Sequence, residues 1–169
     1  MPIPFHRNFD EVNLRFYVRR EIDGYVRRCV VFIKEIVPRW AIAQVARSVY
    51  NEKYVALPMR HEVGASSARY EWRYRRMWNS LYVETRGEWS IPDQFSEAAF
   101  IAELYWGYAV QRDGSTLEYQ VEHPPWRVAQ AEHAELVCQV DRLYGVEFAL
   151  SLSDEPASAF LANGFEVLV

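Results

Sequence analysis

Phe9-Asp10-Glu11-Val12-Asn13-Leu14-Arg15-Phe16-Tyr17-Val18 is the stretch from which the fold is read. A strand sends successive side chains to opposite faces. One face therefore carries Val12, Leu14, Phe16 and Val18, and the other carries Glu11, Asn13, Arg15 and Tyr17. The first set is an ordinary core face. The second spaces an acid, an amide, a guanidinium and a phenol two residues apart, a set suited to lining a polar pocket. Periodicity by itself favours the plainer alternative, a half-buried strand whose polar side meets water.

Outward from this strand, Ile22-Asp23-Gly24 supplies a turn, because Asp-Gly tolerates positive φ. The β-branched run around Cys29-Val30-Val31-Phe32-Ile33 then predicts a second strand, over about 25–34, paired with the first as a hairpin. Pro38 opens a helix to about Tyr50. Tyr54 to Val63 reads as extended, with Pro58 marking an edge or bulge. Ala68 to Met77 and Ser80 to Arg86 predict another hairpin, with Arg69, Glu71, Arg73 and Arg75 opposite Tyr70, Trp72 and Tyr74. Basic residues interleaved with rings resemble an RNA-binding surface, but a solvated sheet face over an aromatic core explains them better.

Ser96 is placed to cap a helix through Leu104. Tyr105 to Val110 and Thr116 to Val121 flank Arg112-Asp113-Gly114-Ser115, the clearest hairpin in the chain. Two prolines keep His123 to Val128 extended. A strand over 134–138, helical pieces over 141–144, 147–152 and 157–161, and a closing strand over 165–169 complete the reading. The sum is a mostly β (α+β) protein, an antiparallel barrel-like or folded-over sheet with a few peripheral helices.

Composition sets the outer limits. The 169 residues, half of them hydrophobic and a quarter charged, suit one globular domain with a core of its own. Six Trp, eleven Tyr and nine Phe favour sheets, where rings pack on pleated surfaces. A net charge of −4 speaks against general nucleic-acid binding, which needs a basic face. No apolar run reaches membrane-spanning length, and the beginning of the chain lacks a signal peptide's apolar stretch. Cys29 and Cys138 read as buried free thiols in a reducing compartment, so the cytoplasm is the expected setting. Lys34 and Lys53 are the only lysines. Imine chemistry needs an amine, which Arg cannot supply. It would therefore rest on one of those two residues or on the N-terminal amine.

Several runs together carry a family resemblance. They are Pro4-Phe5-His6-Arg7-Asn8 continuing through Val18, Val31-Phe32-Ile33-Lys34-Glu35-Ile36-Val37-Pro38-Arg39, and Tyr50-Asn51-Glu52-Lys53-Tyr54-Val55-Ala56-Leu57-Pro58-Met59. Tyr105-Trp106-Gly107-Tyr108 and the segment from Gln111 to Val128 complete the set. Over essentially the whole chain these resemble the YqjF-like family of uncharacterised bacterial proteins, in the acetoacetate decarboxylase-like superfamily. The resemblance implies a barrel-like fold around a central cavity, with Glu11, Asn13, Arg15 and Tyr17 facing into it.

In decarboxylases of that superfamily a buried Lys beside a second Lys forms an imine with a β-keto acid. The neighbouring ammonium and an apolar pocket lower the reactive amine's pKa. Here the segment after the first helix has Glu52-Lys53 with no tandem Lys, and an adjacent carboxylate works against nucleophilicity. Lys53 is accordingly a weak catalytic candidate, and Lys34, followed by Glu35, shares the defect. YqjF-like proteins also carry additional strands ahead of the Pro-Phe-His-Arg-Asn segment, which here lies next to Met1. That implies an N-terminally short form with an unpaired sheet edge, open to pairing in a homodimer.

The candidate ligand-binding residues are thus Glu11, Asn13, Arg15 and Tyr17 for polar contacts, with Trp106, Tyr108 and Trp126 as apolar walls and Glu118 as a further acid. Arg15 can grip a carboxylate or phosphate with two parallel hydrogen bonds; an internal salt bridge to Glu11 or Glu35 is the structural alternative. Glu118 and Glu122 share a strand face beside His123, where an acid–base pair competes with plain surface polarity. The histidines and cysteines show no metal-ligand spacing, so no metal and no cofactor is expected. No nucleophile elbow or phosphate-cradling loop occurs. The leading expectation is a domain that binds a small anionic or carbonyl-bearing molecule. The rivals are a lyase or hydrolase working through a Lys53 imine, and an interaction module whose cavity is filled by its own side chains.

Overall fold

The computed structural model describes residues 9–164, without residues 52 and 122 and without the side chains of residues 49 and 50. The opening hairpin is as expected. β1 (Val12–Ile22) and β2 (Tyr25–Val37) pair antiparallel about Asp23-Gly24, both at positive φ. A bulge lies where Leu14 pairs with Lys34 but Arg15 pairs with Phe32, leaving Ile33 as the extra residue on β2.

β2 is the spine of a five-stranded sheet in the order β1-β2-β7-β8, with β7 (Trp106–Val110) and β8 (Thr116–Gln120) forming the predicted second hairpin. The short β3 (Tyr54–Ala56) also pairs with β2, at its far end. Two of these pairings correct the antiparallel expectation: β2–β3 and β2–β7 are parallel. The chain leaves β2 through α1 (Trp40–Val45) and a π-helical turn (Ala46–Tyr50) before returning as β3. Parallel strands require a crossover of that kind.

The stretch 54–63 is not one extended element. It breaks at Leu57-Pro58, and β4 (Met59–Val63) starts a second five-stranded sheet in the order β10-β9-β6-β5-β4. β5 (Ser67–Tyr74) and β6 (Met77–Thr85) turn at Arg75-Arg76, earlier than the predicted turn at 78–79. Arg75 takes positive φ without being glycine, so no turn residue marks the place. β9 (Val128–Val137) extends well before the predicted 134–138 strand, and 157–161, expected as helical, leads into β10 (Phe160–Ala162). Its three residues pair with β9, and that pairing overrides a weak local helical preference. The predicted strand over 165–169 lies outside the described residues. α2 (Glu97–Ala102), capped by Ser96 as expected, α3 (Val140–Leu143) and α4 (Val146–Ala149) sit at the rims.

The result is two packed sheets, not a closed barrel: the fold is the folded-over form of the two offered. They meet where Ile36 of β2, Trp72 of β5 and Leu143 of α3 bury one another, with Val12, Met59, Tyr74 and Tyr144 around them. Val12, at the start of the apolar face of β1, thus packs toward the second sheet as periodicity required, whereas Phe16 further along that face is 45% exposed. Lys34 extends along this seam, its amine donating to the Leu143 carbonyl and lying 5.7 Å from the Tyr144 ring centroid. Asn79, 1% exposed, ties the seam's edge by donating to the Trp72 carbonyl at 3.1 Å and accepting from the Gln139 amide at 2.9 Å. A second cluster, Val37, Ile42 and Ala43 with Tyr54 and Ala56, seats α1 on the first sheet.

On the second sheet, Trp72 lies inward, and the face carrying Arg69, Glu71 and Arg73 is the solvent side. Arg60 forks the Glu71 carboxylate at 2.5 and 2.9 Å, and acids interrupt the basic row, as a solvated face requires.

Candidate functional site

Register decides which of the predicted site residues meet. Asn13 pairs with Glu35, and Glu35 with Tyr54 of β3, so all three lie on the face that carries Glu11, Arg15 and Tyr17. Tyr108 pairs with Val31 and Glu118, and Val31 with Phe16, so Trp106, Tyr108 and Glu118 lie on the opposite face. The eight predicted ligand-binding residues therefore do not line one hollow. The polar face of β1 also does not look into the space between the sheets. It turns away from the second sheet, because the core face packs against Trp72 and the two faces of a strand are opposed.

On that outer face a polar cluster stands between two apolar covers. Toward one end α1 packs over Val37 and Tyr54. Toward the other, Phe100 of α2 meets the Tyr17 ring edge-on at 5.2 Å. In between, the Tyr54 hydroxyl donates to Glu11 Oε1 at 2.9 Å, and the Asn13 amide, in the orientation that satisfies its neighbours, donates to the same oxygen at 3.2 Å. Glu35 is 3% exposed and presents a second carboxyl group to Tyr54. Burial, then the two carboxylates, push the Tyr54 phenol far above its ordinary range, so it stays a proton donor.

Glu11 sits at the surface, but protein crowds its carboxyl group. The lost hydration raises its pKa above the usual 4.5, with the Tyr54 and Asn13 hydrogen bonds and the Arg15 charge pulling the other way. Arg15 makes no ion pair among the described residues; its guanidinium lies 5.7 Å from the Tyr17 ring centroid. The internal salt bridge to Glu11 offered as a structural alternative for Arg15 is therefore not formed; the Arg15 charge acts on Glu11 from a distance.

The raised Glu11 pKa has a testable sign. A carboxyl group that holds its proton more tightly when folded makes the folded state lose stability as pH rises from about 4.5 through the folded value. Glu11→Gln is expected to raise the thermal midpoint at pH 7 relative to wild type, with the difference shrinking below about pH 4.5. Unchanged midpoints at both pH values would contradict the crowding of this carboxyl group.

Lys53, the weak catalytic candidate, has an exposed side chain. Only its backbone carbonyl joins the cluster, accepting from the Glu35 amide at 3.3 Å. On the far face, Tyr108 and Glu118 are in contact, the phenol donating to the carboxylate at 2.6 Å. Trp126 stands apart from both groups, stacked on His123 with ring centroids 4.2 Å apart. Two surface depressions of about 290 and 350 Å³ lie elsewhere, one where the β7–β8 turn meets Asn51, the other beside Ser96 and Val128. Among the described residues no group of three or more His, Cys, Asp and Glu is placed to hold a metal ion. No helix among them is long and apolar enough to cross a membrane.

Glu35 entered the sequence reading only as a salt-bridge partner for Arg15 and as the acid after Lys34, and Tyr54 not as a site residue, yet Glu35 had a signal. It is a lone acid at the end of the apolar run Val30-Val31-Phe32-Ile33-Lys34-Glu35-Ile36-Val37, and a buried acid needs partners. Tyr54 had none, because its nearness to Glu11 depends on the β2–β3 pairing.

Among solved structures the fold is similar to the acetoacetate decarboxylase of Legionella pneumophila subsp. pneumophila str. Philadelphia 1, at 11% identity and a TM-score of 0.49. The likeness covers 81% of this chain and 59% of that one. Comparison with curated proteins gives no match. The model of the DUF2071 family, described as an uncharacterized conserved protein, matches residues 1–166, and the chain belongs to that family.

Proposed function

We propose that this protein is a single domain that binds a small organic molecule bearing a carboxylate or carbonyl group on the outer face of its first sheet. Arg15 is its charge partner, Glu11, Asn13 and Tyr54 exchange hydrogen bonds with it, and Tyr17 borders it. The observation that carries this reading is an Arg15 guanidinium without an ion pair among the described residues, standing beside an acid–phenol–acid array of Glu11, Tyr54 and Glu35. A guanidinium grips a carboxylate through parallel hydrogen bonds. The Asn13 amide and the protonated form of Glu11, itself held by the Tyr54 hydroxyl, supply donors for a carbonyl oxygen. Two free cysteines fit a cytoplasmic setting. β1 is an edge strand among the described residues, the place where a second copy would pair.

Calorimetric titration with a panel of short 2-oxo, 3-oxo and hydroxy acids tests the reading. At least one is expected to bind saturably, and Arg15→Gln to weaken it about tenfold or more, the worth of one charge-assisted hydrogen bond. Binding unaffected by Arg15→Gln, or no saturable binding at all, would overturn it. A borohydride-stable adduct on Lys53 would replace it with the lyase alternative.

A further inference from the structure

Because β1 and β2 turn at Asp23-Gly24, their register sets Arg20 directly opposite Arg27, and Arg19 directly opposite Arg28, one pair on each face of the ribbon. Like charges so placed repel. On the face shared with Trp106 and Tyr108, one carboxylate answers two guanidiniums. Glu118 Oε1 accepts from Arg27 Nη1 at 2.9 Å, and Oε2 accepts from the Tyr108 hydroxyl at 2.6 Å. Arg20 Nη1 remains 3.7 Å from Oε2, too far for a hydrogen bond, and its side chain is 51% exposed. Both carboxylate oxygens are thus engaged by closer donors, and Arg20, half exposed, holds Glu118 only at ion-pair distance.

The rings beneath hold the two forks in place. The Arg27 guanidinium lies 4.3 Å from the Trp106 ring centroid and that of Arg20 lies 5.1 Å from the Tyr108 centroid. Stacking of this kind orients a guanidinium without consuming its N–H donors. Tyr108 is itself 7% exposed and Cys29 is fully buried, so the platform is seated in the core.

We infer that Arg20 and Arg27 form a second small-molecule site, independent of the Arg15 cluster, for the carboxylate group of an organic acid with an apolar body. Charge balance selects the class. Two guanidiniums against the Glu118 carboxylate leave one surplus positive charge, which a carboxylate cancels and a phosphate dianion overshoots. Glu118 is kept in its charged form by the Tyr108 hydroxyl, with the Arg27 and Arg20 charges adding to that effect. The edge of the partly exposed Trp106 ring offers the apolar contact. On the other face of the ribbon Arg28 lies 5.5 Å from the Phe100 ring centroid, while Arg19 has no ring contact among the described residues. In that second pair only Arg28 has a ring beneath it, and Arg19 serves as a control for diffuse charge.

The experiment is a calorimetric titration of benzoate into Arg15→Gln protein, so that the first site does not contribute. One-site saturation is expected. Adding Arg20→Gln should weaken it about fivefold or more, while adding Arg19→Gln should change it by less than about twofold, since only the first removes a positioned charge-assisted contact. Inorganic phosphate at matched ionic strength should bind more weakly than benzoate. Arg20 meets Glu118 only through an exposed ion pair at 3.7 Å, so Arg20→Gln should move the thermal midpoint of its parent little. The inference is overturned by absence of saturable benzoate binding, by equal losses in the Arg19 and Arg20 variants, or by phosphate binding more tightly than benzoate.

Discussion

Trp72→Ala is expected to lower the unfolding free energy by about 3–5 kcal/mol, the range for emptying a large aromatic site in a packed core. Trp72 is 1% exposed and is the side chain through which β5 of the second sheet meets Ile36 of the first and Leu143 of α3. Those two neighbours belong to separate parts of the chain, each anchored by its own strand or helix, so they cannot both move inward to fill the space. A stability of about 5–15 kcal/mol is ordinary for a domain, so the loss takes a large share of it. Urea unfolding followed by circular dichroism reads the change as a lower midpoint at unchanged slope. A loss below about 1 kcal/mol would mean that the sheets are joined elsewhere.

Gly107→Ala carries the second large effect. Gly107 is buried in β7 and pairs with Tyr119 of β8, whose ring lies across it: a Cβ there would come within 2.2 Å of the Tyr119 ring carbon Cζ and 2.5 Å of its hydroxyl oxygen. Glycine in a strand interior marks such a close approach. To admit even a methyl group the ring must swing away or β7 must shift, at a cost of about 1–3 kcal/mol. Tyr119→Leu in the same chain should recover part of it, since the two positions share one space and their effects are not additive, with a coupling of about 0.5–3 kcal/mol. Additive losses in the double variant would show that the Tyr119 ring is not the obstacle. Because Tyr108 follows directly and holds Glu118, the single substitution is also a sensitive probe of the Arg20–Arg27 face.

How much of the molecule was readable in the chain depends on the range of the forces involved. The alternation from Glu11 to Val18 specified the two faces of β1, and Asp23-Gly24 specified the hairpin. That turn also sets Arg20 against Arg27, because register in a hairpin is symmetric about its turn. These are local effects, written in adjacent residues. The turn at Arg75-Arg76 escaped because its positive φ falls on an arginine, held there by the β5–β6 ladder.

Which side of the first sheet is buried was a different kind of question. It was decided by Ile36 meeting Trp72, thirty-six positions later, and Leu143, beyond a hundred. That contact turned Glu11, Asn13, Arg15 and Tyr17 away from the inter-sheet space and set Trp106, Tyr108 and Glu118 on the opposite face. The parallel return of β3 along β2 then brought Tyr54 to Glu11 and Glu35, a meeting no spacing announces. Periodicity states what a strand offers on each face, but hydrophobic burial is non-directional and acts between whatever apolar faces the chain can bring together. The amino-acid sequence therefore settled the two faces of β1 and its hairpin, and only long-range strand pairing and the packing of one sheet on the other settled which polar groups became neighbours.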